Sequence, residues 1–470
     1  MHFPHLHLRC MPQRYVVAIE LFLILMGSYT LRFSACYAIP KMTKVEEAEK
    51  DPKVCPFKDN ATKQEEEREN EFHWTAAQQG FIHAGFFYGY IATQIVGGIL
   101  ADLFNHKVVM MTGFITSILC VFLTPAATLL FDYIGLFIIR VILGFGQGIT
   151  YCSMFAATMY WAPNHEKAII NSLVFTGIHM GNIVNGLLSG YLLVNLNWQL
   201  VFYIYGIIST FIAILFIFTT YTYPDHFPGL SEKEKAIFEE HKKEIEKKKK
   251  HKKIPFKAIL TNIHVWAIVI AAFGNDFALF TLVLYMPSYL NRVQHIPIDK
   301  VGYYIGAAFI LLWIYATIST PIVDCLIRKN KLSTTLARKI FFLIAAAGPS
   351  FAFLLIALGG CSEIASLIGL LIGYPILGLY YASVKINGLD LSPHFSGTIF
   401  SIGNCGGCIA GLIVPQLIAS LTPNNFVSEW SIAFLITSFM IMATGALYFV
   451  MASGELQEFD SYGQEIKEET

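Results

Sequence analysis

Charged side chains are scarce in this chain of 470 residues, where they make up 14% of the sequence while apolar side chains make up 55%. A typical soluble domain carries about 25% charged residues, so the composition excludes an ordinary soluble protein of this length. What the sequence has in abundance is long apolar runs. It therefore belongs to the class of membrane proteins.

Motifs of enzyme chemistry are also lacking. We find no nucleophile–base set and no cofactor fingerprint, so we expect neither an enzyme nor a bound cofactor. Nine cysteines give no disulfide framework; Cys55 and Cys361 can pair, but free thiols explain them at least as well. The histidines of the leader, at positions 2, 5 and 7, fit a disordered segment better than a metal site.

Twelve apolar stretches are long enough to cross a bilayer, which takes roughly 20 residues. The first has no small-residue cleavage site of the signal-peptide kind, so we keep it as a span. The sequence predicts an all-α polytopic membrane protein with twelve transmembrane helices. They lie near 15–39, 76–101, 108–131, 133–160, 168–193, 199–221, 265–290, 301–326, 339–359, 364–387, 397–420 and 430–452.

Basic residues follow the even-numbered segments, and the positive-inside rule makes those loops and both termini cytoplasmic. The lysines of the linker mark topology on a solvated helix, although they also suit anionic lipid. The capping pattern Ser231 to Glu234 opens that helix. The predicted parts are a leader 1–14, a six-helix bundle 15–221, a cytoplasmic linker 222–257, a second six-helix bundle 258–453 and an acidic cytoplasmic tail 454–470.

The polar loop 41–73 follows the first segment and is predicted to be extracytoplasmic. It contains the sequon Asn60-Ala61-Thr62. A bare sequon is a weak signal, but this one lies on the side where glycosylation occurs. We therefore predict an N-linked glycan on Asn60.

Six segments on each side of a central linker are typical of two pseudo-symmetric bundles that rock about a site at the midplane. The repeat is visible at the end of the second helix of each half, where an acid precedes a base. Asp102 and Lys107 form the first such pair, and Asp324 and Arg328 the second. We predict that these four residues gate the cytoplasmic side.

Arg32 lies within the first apolar segment, where a charge costs several kcal/mol unless it faces a cavity or a partner. Counting about 1.5 Å per residue from the outer ends, Arg32, His83 and Arg140 all lie roughly 10 Å deep, which suits an anion site. Three alternatives stay open: an ion pair of Arg32 with Glu20, snorkelling of Arg140, and a neutral His83 satisfied by a neighbour.

Several motifs are shared with one transporter family. They are Gly85 to Gly98 followed by Ala101-Asp102, Arg140 to Gly148, Trp161-Ala-Pro163 with Glu166-Lys167, Asn387 to Pro393, and Ser420 to Asn424 with Glu429-Trp430. Together they resemble the anion:cation symporter branch of the major facilitator superfamily, which includes sodium–phosphate cotransporter-like proteins, sialin and the vesicular glutamate transporters. The resemblance implies the major facilitator fold and a role for Arg32 and Arg140 in substrate binding or gating, and His83 is similar to a histidine of the vesicular glutamate transporters.

The chain departs from this family at several positions. Gln147 stands where proton-coupled relatives have glutamate, Gly388 where a histidine is expected, and Asn275 where vesicular glutamate transporters have arginine. Glutamate is therefore disfavoured as the substrate. Asp276 is an additional acid near mid-membrane, and a cation ligand, a proton acceptor and the counter-ion of a buried base remain open for it. Lys385 and Asp390, near the end of segment ten, are assigned to gating at most.

Anion uptake into a cell needs a driving ion, because moving one negative charge against about 60 mV costs about 1.4 kcal/mol. We expect a sodium-coupled transporter of inorganic phosphate or small organic anions, with a proton-coupled, sialin-like exporter as the alternative and an anion channel or sensor as a different class. The partners expected are a small anion, the coupling cation and membrane lipid, with no nucleic acid, and the chain is expected to be a monomer. The plasma membrane is favoured over a lysosomal or vesicular one. Arg32, His83, Arg140 and Gln147 are the predicted substrate residues, and Asp276, Asn182 and Asn185 the predicted cation ligands.

Overall fold

The structure is a computed structural model that describes residues 11–44, 55, 71–163, 166–249 and 255–463. In these ranges nearly all of the chain is helical, and an isolated bridge joins Thr43 to Phe72. Asn60 and the histidines of the leader lie outside the described residues, so the predictions made for them stay predictions.

The helices coincide with the predicted segments to within a few residues. This agreement follows from hydropathy, because a backbone in lipid must satisfy its hydrogen bonds within the segment. The helices are α1 (Gln13–Met42), α2 (Ala76–Leu103), α3 (His106–Trp161), α4 (Lys167–Asn195), α5 (Trp198–Thr219), α6 (Glu232–Lys249), α7 (Phe256–Thr261), α8 (Ile263–Val293), α9 (Ile298–Arg328), α10 (Thr334–Gly359), α11 (Glu363–Leu391), α12 (Ser396–Leu421) and α13 (Val427–Met451).

Helix α3 covers two of the predicted segments. Its 56 residues would extend far beyond the hydrocarbon core of a bilayer, which is about 30 Å thick. The helix is broken at Asp132, whose φ of 53° and ψ of −145° are not helical. The break falls between the predicted segments 108–131 and 133–160, so α3 provides two spans.

Two helices contain turns that are not α-helical. In α8, π-helical turns at Thr281–Tyr285 and Tyr289–Val293 flank a short α-helical turn with Pro287 in it. In α11, a π turn at Gly369–Gly373 is followed by a 3-10 turn at Tyr374–Tyr380 with Pro375 near its start. Proline lacks the N–H that an α-helix needs, which explains why the regular hydrogen-bond pattern is lost at these points.

The chain forms two compact units. The first comprises residues 1–35, 85–185 and 195–251, and the second comprises residues 36–84, 186–194 and 252–470. The last and longest segment of the second unit, 252–470, begins inside the predicted linker 222–257. Its two earlier segments contain the end of α1, the start of α2 and the end of α4.

Glycines bring α2 and α3 into close contact in the first unit. A Cβ atom on Gly89 would lie 2.0 Å from the carbonyl oxygen of Val141, and one on Gly144 would lie 2.0 Å from that of Phe86. No side chain fits at these points, so the two backbones touch, as spaced small residues in membrane helices allow. This contact sets the position of α3 beside the aromatic residues of α2.

The linker helix α6 packs on the first unit. Ser231 accepts a hydrogen bond from the Glu234 amide at 3.3 Å, which confirms the predicted cap. Glu234 itself is buried and accepts a hydrogen bond from Arg14 at 3.2 Å, and Phe238 packs against Trp161 with ring centroids 5.7 Å apart. One face of α6 is therefore covered in its first half, while most of its other side chains there are exposed, as expected of a solvated helix.

A disulfide joins Cys55 to Cys361 in the second unit. The two residues are 306 positions apart, and the sequence left their pairing open. The bond ties the loop after α1 to the turn between α10 and α11.

Candidate anion site

Arg32 is buried in the first unit, with 4% of its surface exposed. Its guanidinium Nε donates a hydrogen bond to Gln147 Oε1 at 3.0 Å. It also lies over three aromatic rings, with its Cζ 4.4 Å from the centroids of Tyr29 and Phe86 and 4.7 Å from that of Tyr90. Aromatic faces attract cations, so these contacts orient the guanidinium without neutralising its charge.

The three rings come from helical spacing. Tyr29 is three residues before Arg32 on α1, and Phe86 and Tyr90 are four residues apart on α2, so each pair shares a helix face. The rings of Phe86 and Tyr90 stack at 5.4 Å. The glycine contact of α2 with α3 holds this aromatic face close to Gln147.

Arg140 approaches Arg32 from α3. It is 3% exposed, and its Nη1 donates a hydrogen bond to the backbone carbonyl of Arg32 at 3.3 Å. This burial argues against the snorkelling alternative. Gln147 lies seven residues further along α3, and both side chains contact Arg32, as a spacing of two helical turns predicts.

A small cavity adjoins Arg140. Its other lining residues are mainly apolar, and the polar ones are Ser34 and Thr124. The buried guanidinium of Arg140 at its edge favours a negative charge, because charges interact more strongly away from water. The cavity itself has room for about one water molecule.

Gln147 fixes this geometry with both ends of its amide. While Oε1 accepts from Arg32, Nε2 donates to the carbonyl oxygen of Ser28 at 2.7 Å. The partners define which end of the amide is which. An amide does not titrate, so Gln147 can position Arg32 but cannot carry a proton.

Glu20 is engaged elsewhere. It is buried and accepts hydrogen bonds from the hydroxyl groups of Thr219 and Thr220 at the end of α5. Lys107 donates to the carbonyl oxygens of Ile217, at 2.9 Å, and Thr220, which satisfies the last carbonyls of α5. These contacts argue against the Arg32–Glu20 ion pair and give Lys107 a helix-capping contact.

The two predicted cation ligands on α4 are buried in the first unit. Asn182 donates to the carbonyl of Ile178 in its own helix at 3.0 Å, and Asn185 donates to the carbonyl of Thr30 at 3.4 Å. They therefore lie near the stretch of α1 that precedes Arg32. Asp276 belongs to the second unit.

His83 also belongs to the second unit, whereas the other three predicted substrate residues belong to the first. It is buried, its Nδ1 lies 3.9 Å from the sulfur of Cys36, and its ring meets that of Tyr285 edge-on at 5.5 Å. Tyr285 in turn donates to the carbonyl of Pro415 at 2.6 Å. These contacts agree with a histidine packed among neighbours.

Asp276 lies among polar residues of α8, α11 and α12. Asn275 donates to its Oδ1 at 2.8 Å, and Gly407 leaves the space that its Oδ2 occupies. The Lys385 ammonium lies within electrostatic range of the carboxylate and over the ring of Phe400 at 4.4 Å. Lys385 is thus part of an internal cluster, and its assignment to gating at most stays a prediction.

Two buried arginines escaped the sequence analysis. Arg292 donates to Gln79 at 3.1 Å, to the carbonyl of Ile39 at 3.1 Å and to the hydroxyl of Thr43. Arg338 donates to Asp390 at 2.7 Å and to the carbonyl of Ala382 at 2.8 Å. Both lie near helix ends, where a charged residue is expected at the membrane surface and does not stand out. For Arg338, the only hint of a buried partner in the sequence was the acidic residue Asp390 near the end of segment ten.

Three of the four predicted gating residues, Lys107, Asp324 and Arg328, have side chains that the structure describes. The side chain of Asp102 lies outside the described part of the chain. Arg328 donates to the backbone carbonyl of Asp324 in its own helix at 3.3 Å. That contact neither tests nor supports a gating role.

Comparisons with known proteins agree with this fold. The family model of the Major Facilitator Superfamily matches residues 21–415. The chain is 30% identical over 464 residues to a "Putative inorganic phosphate cotransporter" of Drosophila melanogaster, covering 96% of this chain and 87% of that one. It is 30% identical over 459 residues to human sialin, covering 96% and 91%.

Among solved structures, it is similar to a bacterial homolog of the human lysosomal transporter Spinster in an inward-facing, unoccupied conformation. The TM-score is 0.68 at 15% identity, and the match covers 94% of this chain and 97% of that one. At this identity the likeness concerns the fold alone. The family match and the relatives together show that the chain belongs to the Major Facilitator Superfamily, in its anion:cation symporter branch.

Proposed function

We propose that this protein is a secondary active transporter that moves inorganic phosphate or a small organic anion by alternating access, driven by sodium. The observation that carries the proposal is the pair of buried guanidinium groups of Arg32 and Arg140, connected through Gln147 and the Arg32 carbonyl. A guanidinium donates two parallel hydrogen bonds to an oxyanion, which suits phosphate and carboxylate groups.

Sodium coupling is supported by the ligand types present. Hard cations prefer carboxylate, amide and carbonyl oxygens, and Asp276, Asn182 and Asn185 offer them within membrane helices. Gln147 replaces the titratable residue of proton-coupled relatives. The Drosophila relative is named as a phosphate cotransporter, which agrees with coupled phosphate uptake.

The test is uptake of radiolabelled phosphate, and of a panel of organic anions, by proteoliposomes that contain the purified protein. We expect saturable accumulation above equilibrium when a sodium gradient is imposed, and none when choline replaces sodium. Accumulation on a proton gradient without sodium would refute sodium coupling. Equilibration without accumulation would indicate a channel, and binding without flux would indicate a sensor.

Proton-coupled export of an organic anion is the second candidate. The similarity to sialin over most of the chain favours it, and Asp276 or His83 would then carry the proton. The same proteoliposomes distinguish the two candidates, because a proton gradient alone would drive this transport.

The chain is an integral, multi-pass membrane protein. We further propose that it acts as a monomer in the plasma membrane, with both termini in the cytoplasm and a glycan on Asn60. Asp102, Lys107, Asp324 and Arg328 are proposed to close the cytoplasmic side during the cycle. Accessibility labelling of single cysteines placed in each loop tests this topology.

A further inference from the structure

Four polar residues lie near one another in the second unit, on two helices: Asn275 and Asp276 on α8, and Tyr374 and Lys385 on α11. Gly407 of a third helix, α12, lies against the carboxylate. Such a cluster is costly in a membrane helix bundle unless its charges are compensated. The contacts of its members indicate that the cluster can bind a cation.

Two buried oxygen atoms in the neighbourhood of Asp276 have no hydrogen-bond partner among the described residues. Asn275 is 6% exposed, and its Oδ1 has no hydrogen-bond partner in the described part of the chain, while its Nδ2 is occupied by Asp276. Tyr374 is 1% exposed, its hydroxyl likewise lacks a partner among the described residues, and it lies within electrostatic range of Asp276. Buried polar oxygens normally have a partner, so these two atoms are candidates to bind a cation.

The charge of Lys385 is held near this cluster by aromatic faces. Its ammonium lies 4.4 Å from the ring centroid of Phe400 and 5.6 Å from that of Tyr380, within electrostatic range of Asp276. Aromatic faces attract a cation without neutralising it, so the ammonium keeps its positive charge near the carboxylate. The carboxylate of Asp276 can therefore be compensated in two ways, by Lys385 or by a bound cation.

We propose that Asp276, Asn275 and Tyr374 bind the coupling sodium ion, and that Lys385 is the resident cation that compensates Asp276 after sodium has left. This inference rests on the proposed sodium coupling and specifies its site. It explains how an emptied carrier can return without an uncompensated charge in the membrane. It also makes a distinctive prediction, because a resident cation must weaken sodium binding.

The experiment measures sodium binding to the purified protein as thermal stabilisation, titrating sodium chloride against choline chloride at constant ionic strength. We expect sodium to stabilise the wild type and Asp276→Asn to abolish the effect. Lys385→Met should lower the sodium concentration at half-effect by about tenfold or more, because it removes a positive charge near the ion. Without sodium the same variant should be less stable than the wild type.

Two glycine variants on α12 provide a matched pair. A Cβ on Gly407 would lie 1.8 Å from Asp276 Oδ2, whereas one on Gly397 would meet nothing within 4 Å. Gly407→Ala therefore displaces the carboxylate while keeping its charge and should weaken sodium binding, and Gly397→Ala should leave it unchanged. If Asp276→Asn folds poorly, Gly407→Ala and Lys385→Met still test the site.

The inference is overturned if sodium does not stabilise the wild type, if Asp276→Asn keeps the wild-type half-effect, or if Lys385→Met binds sodium no better. A raised KM for the anion in Lys385→Met with unchanged sodium binding would make Lys385 an anion ligand instead. Failure of the proposed function is distinct: sodium binding would depend on Asp276 and Lys385, yet a sodium gradient would drive no anion accumulation.

Discussion

Arg32 and Gln147 are 115 residues apart in the sequence and are joined by a hydrogen bond of 3.0 Å from the guanidinium Nε to the amide oxygen. The bond is buried, and the other end of the amide holds the Ser28 carbonyl one turn before Arg32. The amide thus fixes the direction in which a buried positive charge points. The first two predictions concern this pair.

Replacing Arg32 by lysine should abolish most transport although the positive charge is retained. A lysine ammonium cannot form the bidentate bond to an oxyanion or the planar contacts with Tyr29 and Phe86. We expect sodium-driven uptake to fall at least about 100-fold, corresponding to about 3 kcal/mol of lost transition-state stabilisation. Uptake is compared at equal surface abundance with Lys257→Arg, a conservative change at an exposed lysine on α7; wild-type rates in Arg32→Lys would contradict the anion site.

Replacing Gln147 by glutamate should weaken anion binding. The carboxylate would pair with Arg32 and cancel the charge that attracts the substrate, and it would lose the donor that reaches Ser28. We expect the KM to rise about tenfold or more at neutral pH. Because attraction to Arg32 favours the ionised form while burial disfavours it, only the appearance of a new pH dependence is predicted. An unchanged KM across the pH range would show that Gln147 does not orient Arg32.

Arg292 should contribute substantially to the stability of the second unit. It joins the end of α8 to Ile39 and Thr43 at the end of α1 and to Gln79 at the start of α2. Arg292→Gln removes these charge-assisted bonds, and we expect a loss of about 2 kcal/mol, read as a lower melting temperature in detergent. Arg328→Gln is the control on an exposed arginine, and equal melting temperatures of the two variants would refute this role.

The disulfide between Cys55 and Cys361 should also stabilise the protein. Removing a native disulfide typically costs roughly 2–5 kcal/mol. We therefore expect a reducing agent to lower the melting temperature of the wild type and to have no effect on Cys361→Ala. Cys405→Ala, which removes an exposed free cysteine, should respond to the reducing agent as the wild type does. If Cys405→Ala, and not Cys361→Ala, abolished the effect of the reducing agent on the melting temperature, the assignment of the disulfide would be wrong.

The C-terminal segment should stay docked from neutral pH down to about pH 4. Asp460 accepts hydrogen bonds from Ser392 and from His394; burial by itself raises the pKa of this carboxyl, but the hydrogen bonds outweigh burial and lower the pKa. Its stabilising effect is therefore complete above the usual carboxyl pKa of about 3.9 and is lost as the pH falls through the lowered pKa.

Limited proteolysis of the tail tests this docking. We expect wild-type tail cleavage to be slow and constant between pH 7.5 and pH 5, and Asp460→Ala to be cleaved faster throughout that range. The control is Glu455→Ala, whose side chain lies in the exposed part of the same segment. Equal cleavage of the two variants would show that Asp460 does not hold the tail.

The helices were predictable because each must supply enough apolar length to cross the bilayer, and hydropathy reports that length directly. The seven-residue spacing of Arg140 and Gln147, which is two helical turns, also places both on about the same face of α3. The neighbour that both contact was not predictable, because no local rule connects Gln147 on α3 to Arg32 on α1. In the sequence, Asp132 marks only the boundary between two predicted apolar segments, and its non-helical backbone could not be read from hydropathy.

Charges at helix ends were harder to interpret. Arg292 and Lys385 lie close to the predicted ends of their segments, where hydropathy expects interfacial charge, yet Arg292 is buried and Lys385 belongs to an internal cluster. Arg292 lies within an irregular turn of α8, and Lys385 follows one in α11; such turns change where the later residues of a helix point, and hydropathy does not report them. The pairing of Cys55 with Cys361 depends on tertiary contacts that spacing does not encode.

The two π turns of α8 change the phase of that helix. Asp276 and Arg292 are 16 positions apart, so an uninterrupted α-helix would place them about 160° apart around its axis. Each π turn contains one extra residue per hydrogen-bonded ring, and two such residues reduce the angle between the two side chains to roughly 40°. A single helix can therefore present an acid and a base along one side, and replacing either π turn by a regular α-helical turn at unchanged chain length would rotate Arg292 by about 100° relative to Asp276.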